Sequence, residues 1–413
     1  MARMFRTRPL VVAAAATAAS LILTACGSSG SKTTASSATT KQPTAASSTP
    51  LKIGVELPLS GPLGTSSANY APLVSKLTSE PGNAVIDGHP VEVILVDDGG
   101  TATGAASAAR QLIDQNKVDI FLGPLYTNLA EAVLPLTHAS KMLDIAFTGC
   151  PSCGDGTKYP YVFSIEFNRP VQGPATVTRL KALGLNKMGM IQSNDVTGKN
   201  YADAIQAAAS QGGVTVAPIV TFPPASLDIT AQATQLKNSG ATAVYVASAV
   251  PADVINIVKA MKEISYQPYL LGNAALGAST VAQSINDPAW AKKFQSAGFG
   301  IGTLRPNLSA KAKQFQSQMH QTLGQNPIKI DLNGAAVIQD AFDMVKAAVQ
   351  ATHATDGPTL AQWLQTNGHD GIRAKYQFTA TEHNGLGPQT VGWSVPGTNV
   401  DGYSEAAAAV SGA

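Results

Sequence analysis

The segment Leu51–Pro62 reads LKIGVELPLSGP, and its two halves differ in character. Leu51–Leu57 is a short, mostly apolar run, which is typical of a strand buried on both faces of a parallel sheet. Pro58–Pro62 then brings proline, glycine and a serine hydroxyl, which favour a turn. The segment therefore predicts an inner strand followed by a polar loop at the strand's carboxyl end.

Units of strand, loop and helix recur along the chain, which predicts parallel sheets covered by helices on both faces. The predicted strands are Leu51–Leu57, Val91–Asp97, Asp119–Leu122, Met142–Phe147, Lys187–Gln192, Val214–Phe222, Ala243–Ala247 and Tyr269–Leu271, with edge strands at Tyr376–Phe378 and Thr390–Val395. The predicted helices are Ala68–Thr78, Thr103–Asn116, Asn128–Ser140, Gln172–Leu183, Lys199–Gln211, Thr230–Ser239, Pro251–Ile264, Ser309–Leu323, Gly334–Thr352 and Thr359–Thr366. Because the alternation starts again at Lys187, we expect two doubly wound, Rossmann-like α/β lobes and not one large sheet.

The first 26 residues have the pattern of an export signal. Three arginines among the first eight residues precede an uncharged run that ends just before Cys26. A basic start, a short apolar stretch and a small-residue cleavage site form a secretory signal, and the run is too short to span a membrane. The sequence LTAC at 23–26 resembles the bacterial lipobox, which implies a signal peptide over 1–25 and a diacylglycerol on Cys26. An ordinary secretory signal is the alternative.

Residues 26–50 are predicted to form a lipidated cysteine followed by a disordered tether. The stretch after Cys26 consists mainly of Ser, Thr, Ala, Gly and Lys without apolar periodicity. Such a segment buries too little apolar surface to offset the entropy of folding. Random-coil scaling puts the ends of about 24 residues roughly 25–30 Å apart, which would hold a globular body off a membrane surface.

The composition of the body limits its possible partners. Residues 51–413 suit two lobes better than one. Three of the 28 basic residues lie in the predicted signal, so 25 basic residues face 26 acidic ones in the mature chain. This near-neutral balance argues against a nucleic-acid partner, which would need a basic surface.

Two further cysteines, Cys150 and Cys153, lie in the segment TGCPSCG. Outside the cytosol a structural disulfide that stiffens one turn is the simplest outcome. A thioredoxin-like redox pair normally opens a helix, whereas the residues that follow Cys153 favour a loop. A zinc site would need further ligands, and the six histidines are scattered, so we expect no metal.

Polar loops follow three of the predicted strands, at 57–62, 123–128 and 148–152. In doubly wound sheets, ligands bind beyond the carboxyl ends of the strands. These loops carry glycine, proline and hydroxyl side chains, which together with helix-start amides suit a polar or anionic ligand head. Ordinary turn and capping chemistry is the alternative for each loop taken alone.

Several motifs occur in the order typical of one family. They are Leu57–Pro62, Val96-Asp97-Asp98, the Gly-Pro loop at 123, Tyr161-Val162-Phe163 with Gln172-Gly173, Asn194-Asp195 with Gly198, and Tyr376-Gln377-Phe378 with Asn384-Gly385. On these motifs, residues 51–395 resemble a type I periplasmic binding protein of the branched-chain amino acid-binding (Leu/Ile/Val-binding-like) family, which serves ABC importers as the solute receptor. The resemblance implies two lobes that close like a hinge on a ligand.

The resemblance also implies three crossovers between the lobes, near Glu166–Pro170, Gly300–Leu304 and Gln377–Asn384. The predicted N-terminal lobe is then 51–167 plus 303–377, and the C-terminal lobe is 168–302 plus 378–413. The family further implies a monomer with a small-molecule solute and ABC permease subunits as partners and with no cofactor. Together with the lipobox at Cys26, it implies a lipid-anchored protein on the extracytoplasmic face of the cell membrane. A sensor that presents its solute to a membrane signalling protein is the alternative.

Carried over position by position, the family pocket falls on seven residues: Ser66, Thr127, Cys150, Ser152, Thr197, Ala249 and Ala274. Thr127 is expected to bind a ligand carboxylate through its hydroxyl, and Cys150 and Ser152 are expected to add backbone and hydroxyl contacts. Tyr126 is an eighth candidate, either stacking on the ligand or covering the start of its own helix.

Three of these positions depart from the family pattern. Thr197 stands where an aromatic residue is usual, and so does Ala249 or its neighbour Val250. Ala274 stands where amino acid-specific members place an acid against the ligand ammonium. A buried ammonium without an anionic partner costs several kcal/mol. We therefore expect a neutral or anionic small organic solute, larger than leucine, unless Glu166 or Asp195 supplies the missing charge.

An enzyme is the rival class. The sequence contains no Gly-x-Ser-x-Gly nucleophile motif, and no histidine is paired with an acid or a nucleophile by spacing. The Gly-rich segment 99–104 lacks the Lys-Ser/Thr ending of a phosphate-binding P-loop. We therefore expect no catalytic residue.

Overall fold

The computed structural model describes residues 49–61, 64–67, 70–80, 82–298 and 300–408, except for the side chains of residues 65, 66, 169, 196 and 301. The predicted signal peptide, Cys26 and almost all of the predicted tether lie outside these residues. Among the helices that are described, none combines the length and the apolar character that crossing a membrane requires.

The first lobe begins with a sheet built from strands β1 (Leu51–Leu57), β2 (Val85–Ile86), β3 (His89–Asp97), β4 (Ile120–Leu122), β5 (Leu143–Ala146) and β6 (Val162–Ser164). The spatial order of its described strands is β2-β3-β1-β4-β5-β6, and every neighbouring pair is parallel except β2 with β3. Helices α1 (Gly64–Ser67), α2 (Ala71–Lys76), α3 (Ala102–Arg110) and α4 (Thr127–Ala139) connect the strands, and a π-helical turn at Gln111–Asn116 extends α3.

The second lobe has the same organisation. It contains helices α5 (Arg169–Ala182), α6 (Val196–Gln211), α7 (Thr230–Asn238), α8 (Pro251–Glu263), α9 (Ser279–Ile285) and α10 (Pro288–Ala291), with strands β7 (Lys187–Ser193), β8 (Thr215–Phe222), β9 (Ala243–Ala247), β10 (Tyr269–Gly272) and β11 (Phe294–Gly298). The chain then returns to the first lobe through α11 (Ala310–Leu323), α12 (Leu332–Thr352), α13 (Gly357–Asn367), β12 (His369–Asp370) and β13 (Lys375–Tyr376). It comes back to the second lobe for β14 (Gly392–Ser394). The second sheet has the order β14-β11-β10-β9-β7-β8, with β14 antiparallel at its edge.

Strand β1 is covered on both faces, as its apolar sequence predicted. Val55 packs in one cluster with Phe342 of α12, and Leu112 lies close against Gly54 on the opposite face. Each fully buried Val, Leu or Phe side chain contributes about 1.5–3 kcal/mol relative to an exposed one. The prediction of two doubly wound lobes is confirmed, although the sequence missed β6 and β11, which are short or partly polar.

Three crossovers join the lobes. The first lies between β6 and α5 and the second between β11 and α11, both where the sequence placed them. The third was placed too early at Gln377–Asn384, because Phe378 and Leu386 pack in the core of the first sheet and Gly385 N–H donates to the carbonyl of Ser164. The chain joins the second core only at Val391, so residues 378–386, predicted for the C-terminal lobe, belong with the first. The other lobe bounds stay a prediction.

The segment after β14 makes a further passage that the sequence did not predict. Tyr403 packs against α11 and α12 of the first lobe, and Asp401 accepts hydrogen bonds from His320 Nε2 at 3.0 Å and from the Ile328 amide at 2.8 Å. Four residues after Tyr403, the amide of Ala407 donates to the carbonyl of Trp393 in the second lobe at 2.7 Å. We call residues 395–408 the return segment, and it contacts both lobes.

Candidate ligand-binding cleft

A cleft of about 370 Å³ lies between the lobes, beyond the carboxyl ends of their strands. The first lobe lines it with Tyr70, Leu125, Tyr126, Thr127, Phe147, Thr148, Gly149, Glu166, Asp331, Gly334, Val337 and Arg373. The second lobe and its entry from the first crossover add Phe167, Gln172, Tyr201, Ala249, Asn273, Ala274, Ala275 and Ala297. The position agrees with the rule that doubly wound sheets bind ligands beyond their strand ends.

Two hydroxyl groups lie together where α4 begins. Thr127 Oγ1 is 3.2 Å from Thr148 Oγ1, so the loops after β4 and β5 present their hydroxyls side by side. The side chain of Tyr126, at the N-cap of α4, makes no capping hydrogen bond. The positive end of the helix dipole therefore lies at the cleft wall, an arrangement that favours a carboxylate or another anion.

The loop before α4 depends on a glycine. Gly123 adopts φ +123°, and a Cβ placed there would come within 2.5 Å of the carbonyl oxygen of Glu56. Any larger residue would push the loop away from β1, because that oxygen belongs to the backbone. Gly123 thus keeps Thr127 close to the neighbouring loop.

An ion pair lies on the first-lobe side of the cleft. Arg373 Nη2 is 2.8 Å from Glu166 Oε2, and the Arg373 side chain is only 2% exposed. Burial raises the pKa of the Glu166 carboxyl above its ordinary value, and the charge of Arg373 opposes that shift. The guanidinium therefore offsets the negative charge of Glu166.

Asp331 is a second carboxylate on this wall, and it is exposed to the cleft. It caps α12, accepting hydrogen bonds from the amides of Asn333 at 3.0 Å and Gly334 at 3.3 Å. Within the described chain it takes part in no ion pair. Its free lone pairs can accept from a cationic or N–H-bearing ligand.

Gln172, on α5, adds an acceptor from the other side. Its Oε1 atom is buried and has no hydrogen-bond partner among the described residues. A buried acceptor left unpaired costs about 1–3 kcal/mol, so a donor from a ligand or from water would stabilise it. The sequence analysis placed Gln172 in a family motif and at the start of a predicted helix but not in the site, and it did not single out Asp331.

Four of the eight residues proposed from the sequence lie on the cleft wall: Tyr126, Thr127, Ala249 and Ala274. Ser152 and Thr197 are not among the lining residues, and the side chain of Ser66 lies outside the described part. Cys150 is fully buried in a cluster with Leu134 and Tyr159. Whether any of the eight contacts a solute stays a prediction.

The displacement at Cys150 and Ser152 has a simple cause. A Cβ on Gly149 would come within 2.0 Å of the Phe167 carbonyl oxygen, so the loop after β5 packs tightly against the first crossover at this glycine. The chain then turns inward, which leaves Thr148 and Gly149 on the cleft wall. Thr148, and not Ser152, is therefore the hydroxyl residue of this loop on the cleft wall.

Cys150 and Cys153 form a disulfide, as the sequence indicated, with their Cα atoms 5.1 Å apart. The bond closes a short turn, Ser152–Gly154, behind the cleft wall. Of the two acids considered for a ligand ammonium, Glu166 lines the cleft. Asp195 instead caps α6, with its Oδ1 atom 2.6 Å from the amide of Gly198. In the described part of the chain, no group of three or more His, Cys, Asp or Glu residues is arranged to hold a metal ion.

A family model described as "Periplasmic binding protein" matches residues 50–392, most of the chain. This chain belongs to the periplasmic binding protein family. Membership implies an extracytoplasmic location, and it confirms the family expected from the sequence motifs. The family and the matching proteins are binding proteins and receptors, in agreement with the expectation that the chain is not an enzyme.

Among curated proteins, this periplasmic binding protein is similar to Leu/Ile/Val-binding protein homolog 3 of Brucella melitensis, with 26% identity over 206 residues, 49% of this chain and 55% of that protein. It is also 27% identical over 204 residues to Leu/Ile/Val-binding protein homolog 6 of Brucella abortus, covering 49% of this chain and 52% of the relative. The chain thus spans about half the length of the curated relatives it matches.

Solved structures share the fold of this periplasmic binding protein. An extracellular ligand-binding receptor from Rhodopseudomonas palustris HaA2 aligns with a TM-score of 0.70 at 18% identity, covering 86% of this chain and 99% of the receptor. The leucine binding protein LivK of Thermotoga maritima aligns with a TM-score of 0.67 at 18% identity, covering 83% and 97%. LivJ of Streptococcus pneumoniae, solved in complex with isoleucine, aligns with a TM-score of 0.69 at 21% identity, covering 87% and 99%.

Proposed function

We propose that this periplasmic binding protein is an extracytoplasmic lipoprotein that captures a small organic solute in the cleft and delivers it to an ABC importer. The observation that carries the proposal is a cleft walled by both lobes, with paired hydroxyls and a helix start on one side and aromatic side chains around them. A ligand contacts both walls fully only when the lobes close. Binding therefore shifts the population towards the closed form, which a membrane partner can distinguish from the open one.

The polar groups of the cleft define the chemistry of the solute. Thr127, Thr148 and the start of α4 favour an anionic head. Gln172 Oε1 lacks a donor among the described residues, and Asp331 can accept hydrogen bonds beyond those from the helix start. The sequence offered no acid near Ala274 to pair with a ligand ammonium. Asp331 can take that role, so the site is compatible with a zwitterionic solute. We infer an amino acid or a derivative that keeps a carboxylate and N–H donors, a class that includes the isoleucine named for LivJ.

A thermal-shift screen of the mature chain against amino acids, amides, organic acids and short peptides tests this function. A solute that binds only the folded form raises the melting temperature in proportion to the logarithm of its concentration above Kd. We expect carboxylate-bearing amino acid derivatives to give the largest shifts. A screen in which no organic solute shifts the melting temperature at millimolar concentration would contradict solute capture.

Anchoring and delivery need separate tests. Expression of the full chain in a bacterium, followed by mass spectrometry of its amino-terminal peptide, should show diacylglycerol on Cys26. The Cys26→Ser variant should leave the membrane fraction. Deletion of the gene should abolish uptake of the solute found in the screen, and unchanged uptake would favour the sensor instead of the importer receptor.

A further inference from the structure

The ligand-binding cleft continues into a second chamber of about 450 Å³. Both cavities are lined by Ala274, Ala297 and Asp331, so they meet at these three residues and form one groove. Two of the three are alanines, and their small side chains leave the passage open. Each chamber alone is near the lower end of the size usual for small-molecule pockets, about 300–1,000 Å³.

The two chambers differ in chemistry. The first is lined by aromatic side chains such as Tyr126 and Phe147. The second has no aromatic side chain among the described residues of its wall, which combines glycine and aliphatic residues with hydroxyl and amide groups such as Ser279 and Asn399 and with the charged Lys329 and Asp331. A solute that occupies both would place an apolar part in the first chamber and a hydrogen-bonding part in the second.

The second chamber lies next to the hinge. Its wall includes Leu304 from the second crossover and Ser404 from the return segment. In a hinge motion, an atom moves by an amount proportional to its distance from the axis, so a cavity beside the crossovers changes less than one at the cleft mouth. We therefore expect the second chamber to narrow less than the first when the lobes close.

One residue of this chamber wall carries a buried acceptor without a partner among the described residues. This residue, Asn333, is only 5% exposed, and its Oδ1 atom has no hydrogen-bond partner within the described part of the chain. Gln172 Oε1 is the matching unpaired acceptor of the first chamber. Buried acceptors are normally paired, so both positions call for a donor such as an amide N–H or an ammonium group.

We propose that the solute spans both chambers and is a short peptide, or a peptide-like amide, that ends in a carboxylate. The carboxylate lies at Thr127 and Thr148, the apolar carboxyl-terminal side chain lies among the aromatic residues, and the amide N–H groups and the ammonium reach Asn333. An extended tripeptide is about 10 Å long at roughly 3.4 Å per residue, a length suited to two adjoining chambers. This inference rests on the proposed function, because it takes the cleft as the solute site.

Calorimetric titration of the mature chain with L-leucine, glycyl-L-leucine and glycylglycyl-L-leucine tests the proposal. We expect the tripeptide to bind at least tenfold more tightly than leucine. The Asn333→Leu variant, which removes the acceptor at similar volume, should reduce that preference to threefold or less without lowering the melting temperature of the unliganded protein. Asn238→Leu, an exposed position at the end of α7, is the matched control and should keep the preference.

A second variant tests the same proposal in case Asn333→Leu does not fold. Ser279 is exposed and lines only the second chamber, so Ser279→Trp fills that chamber without touching the first. This variant should lower the affinity for the tripeptide at least tenfold and keep the affinity for leucine within twofold of the wild type.

Three results would overturn the proposal. Leucine binding as tightly as the tripeptide would limit the solute to the first chamber while leaving the proposed function intact. A tripeptide preference that survives both variants would show that the second chamber holds water only. Failure of all three probes to bind would remove the peptide class, and the proposed function would fall with it only if the wider solute screen were also negative.

Discussion

The two lobes contribute different groups to the same cleft. The first lobe supplies the hydroxyls of Thr127 and Thr148, the Glu166–Arg373 ion pair and Asp331. Half of the described residues on the second-lobe side are alanines such as Ala274, and none of them is charged. Charged and hydroxyl groups give a binding site its chemical selectivity, and small side chains set how much volume remains. We therefore expect the first lobe to provide most of the chemical recognition of a solute and the second lobe to limit its size.

The largest expected effect tests how rigidly the first lobe holds its polar groups. Replacing Arg373 by methionine leaves the Glu166 carboxylate buried without its cation, and breaking a buried pair in this way costs about 3–5 kcal/mol. We expect urea denaturation of Arg373→Met to show a loss of this order, reduced because Glu166 is 19% exposed. The double variant with Glu166→Gln should recover much of the loss. A single variant as stable as the wild type would mean that the pair does not hold the wall in place.

A second test compares how the lobes respond to pH. Burial raises the pKa of Asp144, on β5 of the first lobe, to about 8, and Thr137 donates a hydrogen bond to it. Burial likewise raises the pKa of Glu56, with smaller contributions from the charges of Asp98 and Asp144. The folded chain therefore binds more protons than the unfolded chain between the unfolded pKa, near 4, and the raised folded pKa, so stability falls as pH rises through that window.

We expect the wild type to lose on the order of 3 kcal/mol of stability between pH 5 and pH 8 from this cause. Asp144→Asn, which is neutral throughout, should flatten the profile when unfolding is followed by circular dichroism. Asp203→Asn, at an exposed position of α6 in the second lobe, is the control and should leave the slope unchanged. Equal slopes for all three proteins would exclude Asp144 as the source.

The third test addresses recognition by the first lobe. Thr127→Ala removes one of the two paired hydroxyls and should weaken binding of a carboxylate-bearing solute by about 1–3 kcal/mol, because a hydrogen bond to a charged group is lost. Titration calorimetry with the best solute from the screen measures this loss. An amide of the same solute, which has no carboxylate, should lose much less. An equal loss for both would place the carboxylate elsewhere in the cleft.

The smallest effect concerns the second lobe. Ala274 is exposed in the cleft, so Ala274→Leu should leave the melting temperature unchanged, as surface substitutions usually stay within about 0.5 kcal/mol. The larger side chain should weaken the binding of a large solute by about 1 kcal/mol, since overpacking costs energy. Tighter binding would show that the second lobe does not restrict solute size.

The local pattern of apolar and polar residues was enough to predict most of the fold. Apolar runs located β1, β3, β7, β8 and β9, and helical periodicity located α4, α8 and α12, because each element buries a continuous stripe of its own side chains. Strand β11 reads FQSAG and was missed, since its burial depends on partners far along the chain. The late third crossover was missed for the same reason.

The site was predicted only in part. Thr127 follows β4 directly, so its place at the strand end could be deduced from the sequence. Thr148 was not distinguished from Ser152, because the inward turn at Gly149 depends on contact with the distant Phe167 carbonyl. Asp331 and Asn333 look like ordinary helix-start residues, and only the approach of the second lobe makes them part of a cavity wall.

The return segment has a practical consequence for observing this protein at work. It joins the three crossovers, with Tyr403 fastened to one lobe and Ala407 to the other. Several adjacent connections allow the lobes to rotate about one hinge axis and resist rotation about other axes. One distance between a fluorophore on each lobe should therefore be enough to follow every opening and closing in a single-molecule recording.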